Sequence, residues 1–219
     1  MDEIKEKFLE ILEFYPKSYA VKVKYTPYED LDNIIITNPL DYVHHIFLPN
    51  KEDLFRFELL SALTVLGEKH HLLSTDYYDT YTKENMYEFI DGFARLLKPI
   101  RFAWAGRIAG ENSPDADKLL SETLKRIEIE YLNALYRGNR RASLEVLPYI
   151  AFAKGLDPDW DFFNDERLNA ILNDLVKADI SVSNLIKYAK KLQRYLPCFC
   201  SFSVKEDPER GFEVFSLDL

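Results

Sequence analysis

The segment KEDLFRFELLSALTVLG, residues 51–67, constrains this chain more than any other stretch. Leu54, Phe55, Phe57, Leu59, Leu60, Leu63, Val65 and Leu66 recur at helical spacing and leave almost no polar face. A helix that is apolar on every side needs protein on every side. The pattern therefore predicts a central, buried helix, capped by Gly67 or fraying through EKHH. The rest of the chain has to cover it.

The flanking segments supply that cover in two periodicities. Ile4, Phe8, Ile11, Leu12 and Tyr15 mark a first helix over about 2–14, ended by Pro16. YAVKVKY at 19–25 alternates as a half-exposed strand, IIIT after Asn33 fits a second, and YVHHIFL at 42–48 a third. Beyond the buried helix, a helix is expected over about 83–97, stopped before Pro99. Another starts at Ser113-Pro114-Asp115 and carries Leu120, Leu124, Ile127, Tyr131 and Leu135 on one face as far as Gly138. Helices over about 141–154, 164–178 and 181–195 follow, the first kinked at Pro148 unless that proline lies near a helix boundary. CFCSFSV and FEVFSLDL alternate around a loop with Pro208 and Gly211, which reads as a β-hairpin.

A lone hairpin is marginal, so pairing it with the N-terminal strands is the economical solution. The expected fold is α+β: a helix-dominated body over about 52–196 and one small, mainly antiparallel sheet. Strands at about 19–48 and the C-terminal hairpin at about 198–218 form that sheet, and residues 1–219 make a single unit.

Composition excludes several function classes. The net charge is −9 and the pI about 5.1, with no basic arm, which opposes non-specific phosphate binding. None of the seven glycines falls in a GxGxxG or GxxxxGK[ST] pattern, so a dinucleotide or P-loop cradle is not expected. Cys198 and Cys200 sit side by side on one strand face, too few for a structural zinc site, and read as buried thiols in a reducing compartment. No apolar run is long enough to span a bilayer. MDEIKEKFLEILEF is amphipathic and acidic rather than a signal peptide, so the expected location is cytoplasmic.

Three clusters carry possible chemistry. His44 and His45, with His70, His71, Asp76 and Asp79, offer nitrogen and oxygen ligands for a metal ion. Adjacent histidines on a strand point to opposite faces, and on a helix they point about 100° apart, so neither pair chelates alone. The buried helix carries Phe57 and Ser61 where a HExxH motif needs histidines. Tyr77, Tyr78 and Tyr81 form an aromatic, acidic connector suited to partner recognition. Arg137, Arg140 and Arg141, with Lys187, Lys190, Lys191 and Arg194, would form a phosphate- or nucleic-acid-binding patch if their elements are neighbours.

No catalytic motif accompanies these clusters, and aromatics are abundant, with 14 Tyr and 15 Phe. The expectation is a non-catalytic accessory or adaptor subunit of a larger cytoplasmic assembly, acting through protein-protein surfaces. It needs no cofactor, and its partner is another protein subunit. One alternative is a metal-dependent hydrolase built on the two His-His pairs. Another is a nucleic-acid-processing accessory factor using the basic patch.

Overall fold

The computed structural model describes residues 2–26, 34–69, 74–75, 86–138, 145–162, 165–195, 201–207 and 212–218. Of residues 2, 34, 74–75, 86–95, 201–207 and 212–218 it describes the backbone alone. Seven helices and six strands lie among the described residues. In chain order these are α1 (Asp2–Leu12), β1 (Ala20–Thr26), β2 (Ile34–Asn38), β3 (Val43–Pro49), α2 (Leu54–Lys69) and β4 (Ser74–Thr75). There follow α3 (Met86–Asn112), α4 (Ala116–Tyr136), α5 (Leu147–Leu156), α6 (Glu166–Lys177), α7 (Val182–Tyr195), β5 (Ser201–Asp207) and β6 (Phe212–Asp218). The protein is a helix-dominated α+β fold. Among the described residues no helix is long and apolar enough to cross a membrane.

Helix α2 is the buried element its composition demands. Phe55 and every residue from Phe57 to Gly67 are shielded from solvent, Glu58, Ser61 and Thr64 included. Ser61 and Thr64 satisfy their hydroxyls by donating to the carbonyls of Phe57 and Leu60. Asp53 closes the N-terminus by accepting from the Arg56 amide, and Arg126 of α4 donates to the same carboxylate at 2.7 Å while lying over the Phe55 ring. One aspartate thus caps α2 and ties α4 to it.

Glu58 has two hydroxyl partners. Ser113 donates to it at 2.6 Å and Tyr15 donates to its other oxygen. Burial pushes the Glu58 carboxyl above its ordinary range, and the two hydroxyls pull it only partly back. At the start of α4 the Ser113 hydroxyl accepts from the Asp115 amide at 3.2 Å while donating to Glu58, and the Asp115 side chain makes no capping hydrogen bond.

Helix α3 corrects a boundary. The expected stop before Pro99 does not occur, and the helix runs 27 residues through the proline. A proline inside a helix costs about 3 kcal/mol. The following turns bury Ile100, Phe102, Ala103, Trp104, Ala105, Ile108 and Ala109, and that burial outweighs the lost hydrogen bond. Pro148 does lie at a boundary, in the first turn of α5.

The sheets differ from expectation in membership. Strands β1, β3 and β2 form a mixed sheet of their own, with β3 central, parallel to β1 and antiparallel to β2. The C-terminal strands do not join it. Strand β6 pairs antiparallel with β5 and parallel with the short β4 in a second sheet. Alternation marks a segment as a strand but does not name its neighbour. Strand β1 is an edge that exposes Lys22 and Lys24, a common way of refusing a further strand.

Helices α3 and α5 cross in backbone contact. A Cβ on Gly106 would overlap the Phe152 carbonyl oxygen, and one on Gly155 would overlap the Ala103 carbonyl oxygen. Gly110 is looser, since its Cβ would stand 3.2 Å from the Leu156 carbonyl. Gly155→Ala is therefore expected to destabilise the protein by about 1–3 kcal/mol or more through overpacking. Gly110→Ala should fall near neutral, because the gain in helix propensity offsets a small shift. Thermal unfolding of the two variants checks this, and equal melting temperatures would refute a backbone-level crossing.

Candidate functional site

Helix α4 has more apolar positions than one face can hide. Leu119, Thr123, Ile127 and Ala134 are buried, with the Thr123 hydroxyl donating to the Leu119 carbonyl. The expected apolar face is thus only partly inward. Leu120, Leu124 and Tyr131 are half-buried and line a groove of about 720 Å³, with Asp117, Lys125 and Glu128 along its polar edge. The groove follows α4 from Asp117 to Leu132, about 22 Å at 1.5 Å per residue. It then opens onto exposed apolar side chains: Ile129 is 57% exposed, Leu132 55%, Leu135 45% and Tyr136 95%.

The opposite wall is Trp160 and Phe162, on the connector between α5 and α6. Both are held in place by polar anchors beneath them. The buried Lys154 donates from Nζ to the Trp160 carbonyl at 2.6 Å and to Asp161 Oδ1 at 2.8 Å. Asn169 grips Phe162 from both sides, its amide donating to the Phe162 carbonyl at 2.8 Å and accepting from the Phe162 N–H at 3.1 Å. Phe162 meets Tyr131 of α4 edge to face with ring centroids 6.2 Å apart. The groove is therefore formed before anything enters it.

Of the six metal candidates, His44 and His45 lie among the described residues. His44 is fully buried: Nδ1 accepts from Thr37 Oγ1 at 2.9 Å, and Nε2 donates to Glu68 Oε1 at 3.0 Å. The tautomer follows from that set, since the carboxylate takes the N–H and the bare nitrogen takes the hydroxyl. Tyr19 stacks on the ring at 5.3 Å. The sequence hydroxyl, imidazole, carboxylate is that of a nucleophilic triad, but the Thr37 hydroxyl is pressed against Gly67, where any Cβ would overlap it. The set therefore stitches β2 and β3 to the end of α2. His45 is half-buried on the same strand. His70, His71, Asp76 and Asp79 lie outside the described residues, as do Tyr77, Tyr78 and Tyr81. Among the described residues no group of three His, Cys, Asp or Glu is placed to hold a metal ion.

The basic candidates lie on two elements, and part of the set is outside the described residues. Arg137 pairs with Glu145 at 2.6 Å at the end of α4, while Arg140 and Arg141 lie outside the described residues. Lys187, Lys190, Lys191 and Arg194 are on α7. Lys191 pairs with Asp174 of α6 at 2.8 Å, and Lys187 lies over the Tyr188 ring.

Sequence reasoning did not single out Trp160, Phe162 or Leu132. The available signal was on α4, where Ile129, Leu132 and Tyr136 form a second apolar stripe beside the buried one. Trp160 and Phe162 gave none, because their placement depends on Lys154 and Asn169.

The buried polar set makes a pH prediction. Burial pushes the His44 imidazole down, and Glu68 only partly restores it. The fold therefore prefers neutral His44, and that preference is fully present above the ordinary histidine value of about 6.5 and lost as pH falls below it through the lowered folded value. Burial alone would raise the Glu68 carboxyl. Hydrogen bonds from His44, from the Ser18 hydroxyl and amide, and from the Tyr19 amide outweigh it and hold the group at about 2. Its contribution is present above the ordinary carboxylate range and lost as pH falls toward about 2. Glu58 has the opposite sign, favouring the fold below the ordinary range and less as pH rises through its raised value. Urea unfolding between about pH 7.5 and pH 5 should show the wild type losing stability relative to His44→Gln. His44→Gln should be less stable by about 1–3 kcal/mol at the upper pH and flatter with pH. Parallel profiles would sink this assignment.

Comparison of the chain with models of protein families, with curated proteins and with solved structures finds no match.

Proposed function

We propose that this chain is a non-catalytic adaptor subunit that docks an amphipathic helix of a partner protein in the α4 groove. The observation that carries the reading is the groove's construction, with apolar α4 positions facing a wall that Lys154 and Asn169 fix in advance. A preformed groove avoids the ordering cost that weakens binding by a mobile one.

The groove's length and character suit a helix. About 22 Å of apolar channel accommodates four turns, and helix-in-groove recognition reads apolar anchors at i, i+3, i+4 and i+7. Asp117, Lys125 and Glu128 at the edge match a helix whose flanks carry charges of both signs. Four of the eight exposed large apolar residues among the described residues lie within Ile129–Tyr136, at one end of the channel. Apolar side chains concentrated in that way mark interaction surfaces, whereas single ones are ordinary.

Leu132→Asp with Leu135→Asp tests the proposal without disturbing the core, since both side chains are exposed. A cysteine placed at Leu132 should cross-link to an apolar helix of a protein that co-purifies in stoichiometric amount. The double aspartate variant should retain its melting temperature and lose that partner by tenfold or more, because burying one leucine contributes about 1.5–3 kcal/mol. Asn169→Ala should also weaken capture, since it frees Phe162 while leaving the α4 face intact. Undiminished partner recovery in the aspartate variant would overturn the reading.

A further inference from the structure

Helices α6 and α7 form a second, chemically different cleft. It has a volume of about 290 Å³ and is lined by Arg167, Ala170, Ile171, Asp174, Lys191 and Arg194. Three cations meet one carboxylate there, and that carboxylate is already engaged by Lys191. Helix α7 adds Lys187 and Lys190 and contains no acidic residue.

The attraction of cations to helix C-termini accounts for Arg194 but not for Arg167. Arg167 lies in the first turn of α6, beside the positive end of the helix dipole, where a cation is disfavoured. It is nevertheless held there. Its guanidinium lies over the Tyr195 ring at 5.6 Å, and the Tyr195 hydroxyl donates to Asp165, the residue that caps α6. Arg167, Lys191 and Arg194 therefore concentrate positive charge at one small concavity.

We propose that this cleft binds the phosphoryl group of a small, non-polymeric anion. Arginine forks match phosphate oxygens two at a time, and two arginines border the cleft. Its volume is below that of most small-molecule pockets, so it takes the charged end and leaves the remainder outside. Tyr188 is 2% exposed and Tyr195 is covered by Arg167, so neither ring is open for base stacking, which single-stranded nucleic acid uses. The net charge of −9 further repels a polyanion, whereas a single phosphoryl group meets only the local field. This site is independent of the α4 groove.

Isothermal titration with sodium pyrophosphate at fixed ionic strength tests it. Saturable binding at one site is expected, weakened tenfold or more in Arg167→Gln with Arg194→Gln. The melting temperature of that variant without ligand should equal the wild type's, because both side chains are exposed. Absence of saturable binding, or equal affinity in the variant, would overturn the proposal. A short single-stranded oligonucleotide bound more tightly than pyrophosphate through the same arginines would overturn it as well, in favour of a nucleic-acid backbone.

Discussion

The contact between α3 and α5 at Gly106 and Gly155 sets the distance on which the described helical body is built. When two helix backbones touch, the side chains around the crossing have fixed separations to fill. Phe55, Phe102, Tyr149 and Phe152 fill them as a ring cluster, with centroid spacings of 5.1 to 6.4 Å. Close packing of this kind transmits small displacements instead of absorbing them. The position of α4 follows from it, because α4 rests on α5 and α2 and Arg126 locks it to Asp53.

Polar groups inside this apolar frame specify orientation. Glu58 with Tyr15 and Ser113, and His44 with Glu68, join elements far apart in the chain, while Thr37 with His44 and Lys154 with the Trp160 carbonyl fix neighbouring segments against each other. A buried polar atom left unpaired costs more than a mispacked methyl group, so each set penalises an alternative arrangement. Such pairings also engage side chains whose type suggests chemistry. His44 is the clearest case, being a possible ligand by type and a buried crosslink by placement.

The two surfaces proposed to act differ in what they recognise. The α4 groove presents an apolar channel with mixed charge at its edge, and the α6–α7 cleft presents concentrated positive charge on an acidic protein. Both depend on rigid support. Lys154 and Asn169 hold the groove wall, while Tyr195 and Asp165 hold Arg167. The supporting residues lie away from the surfaces they shape, so the surfaces are properties of the packing.

Periodicity in the chain was enough to place most elements. The burial of α2 followed from its lack of a polar face, α1 from its apolar stripe and β1 from its alternating lysines. Those properties are local and depend on one segment at a time. Tertiary structure decided what local pattern cannot encode: that α3 continues through Pro99, that the termini pair in separate sheets, and which of two apolar stripes on α4 is left outward. Each of these is settled by the free energy of contact with residues distant in sequence, and that quantity exists only once the chain has folded.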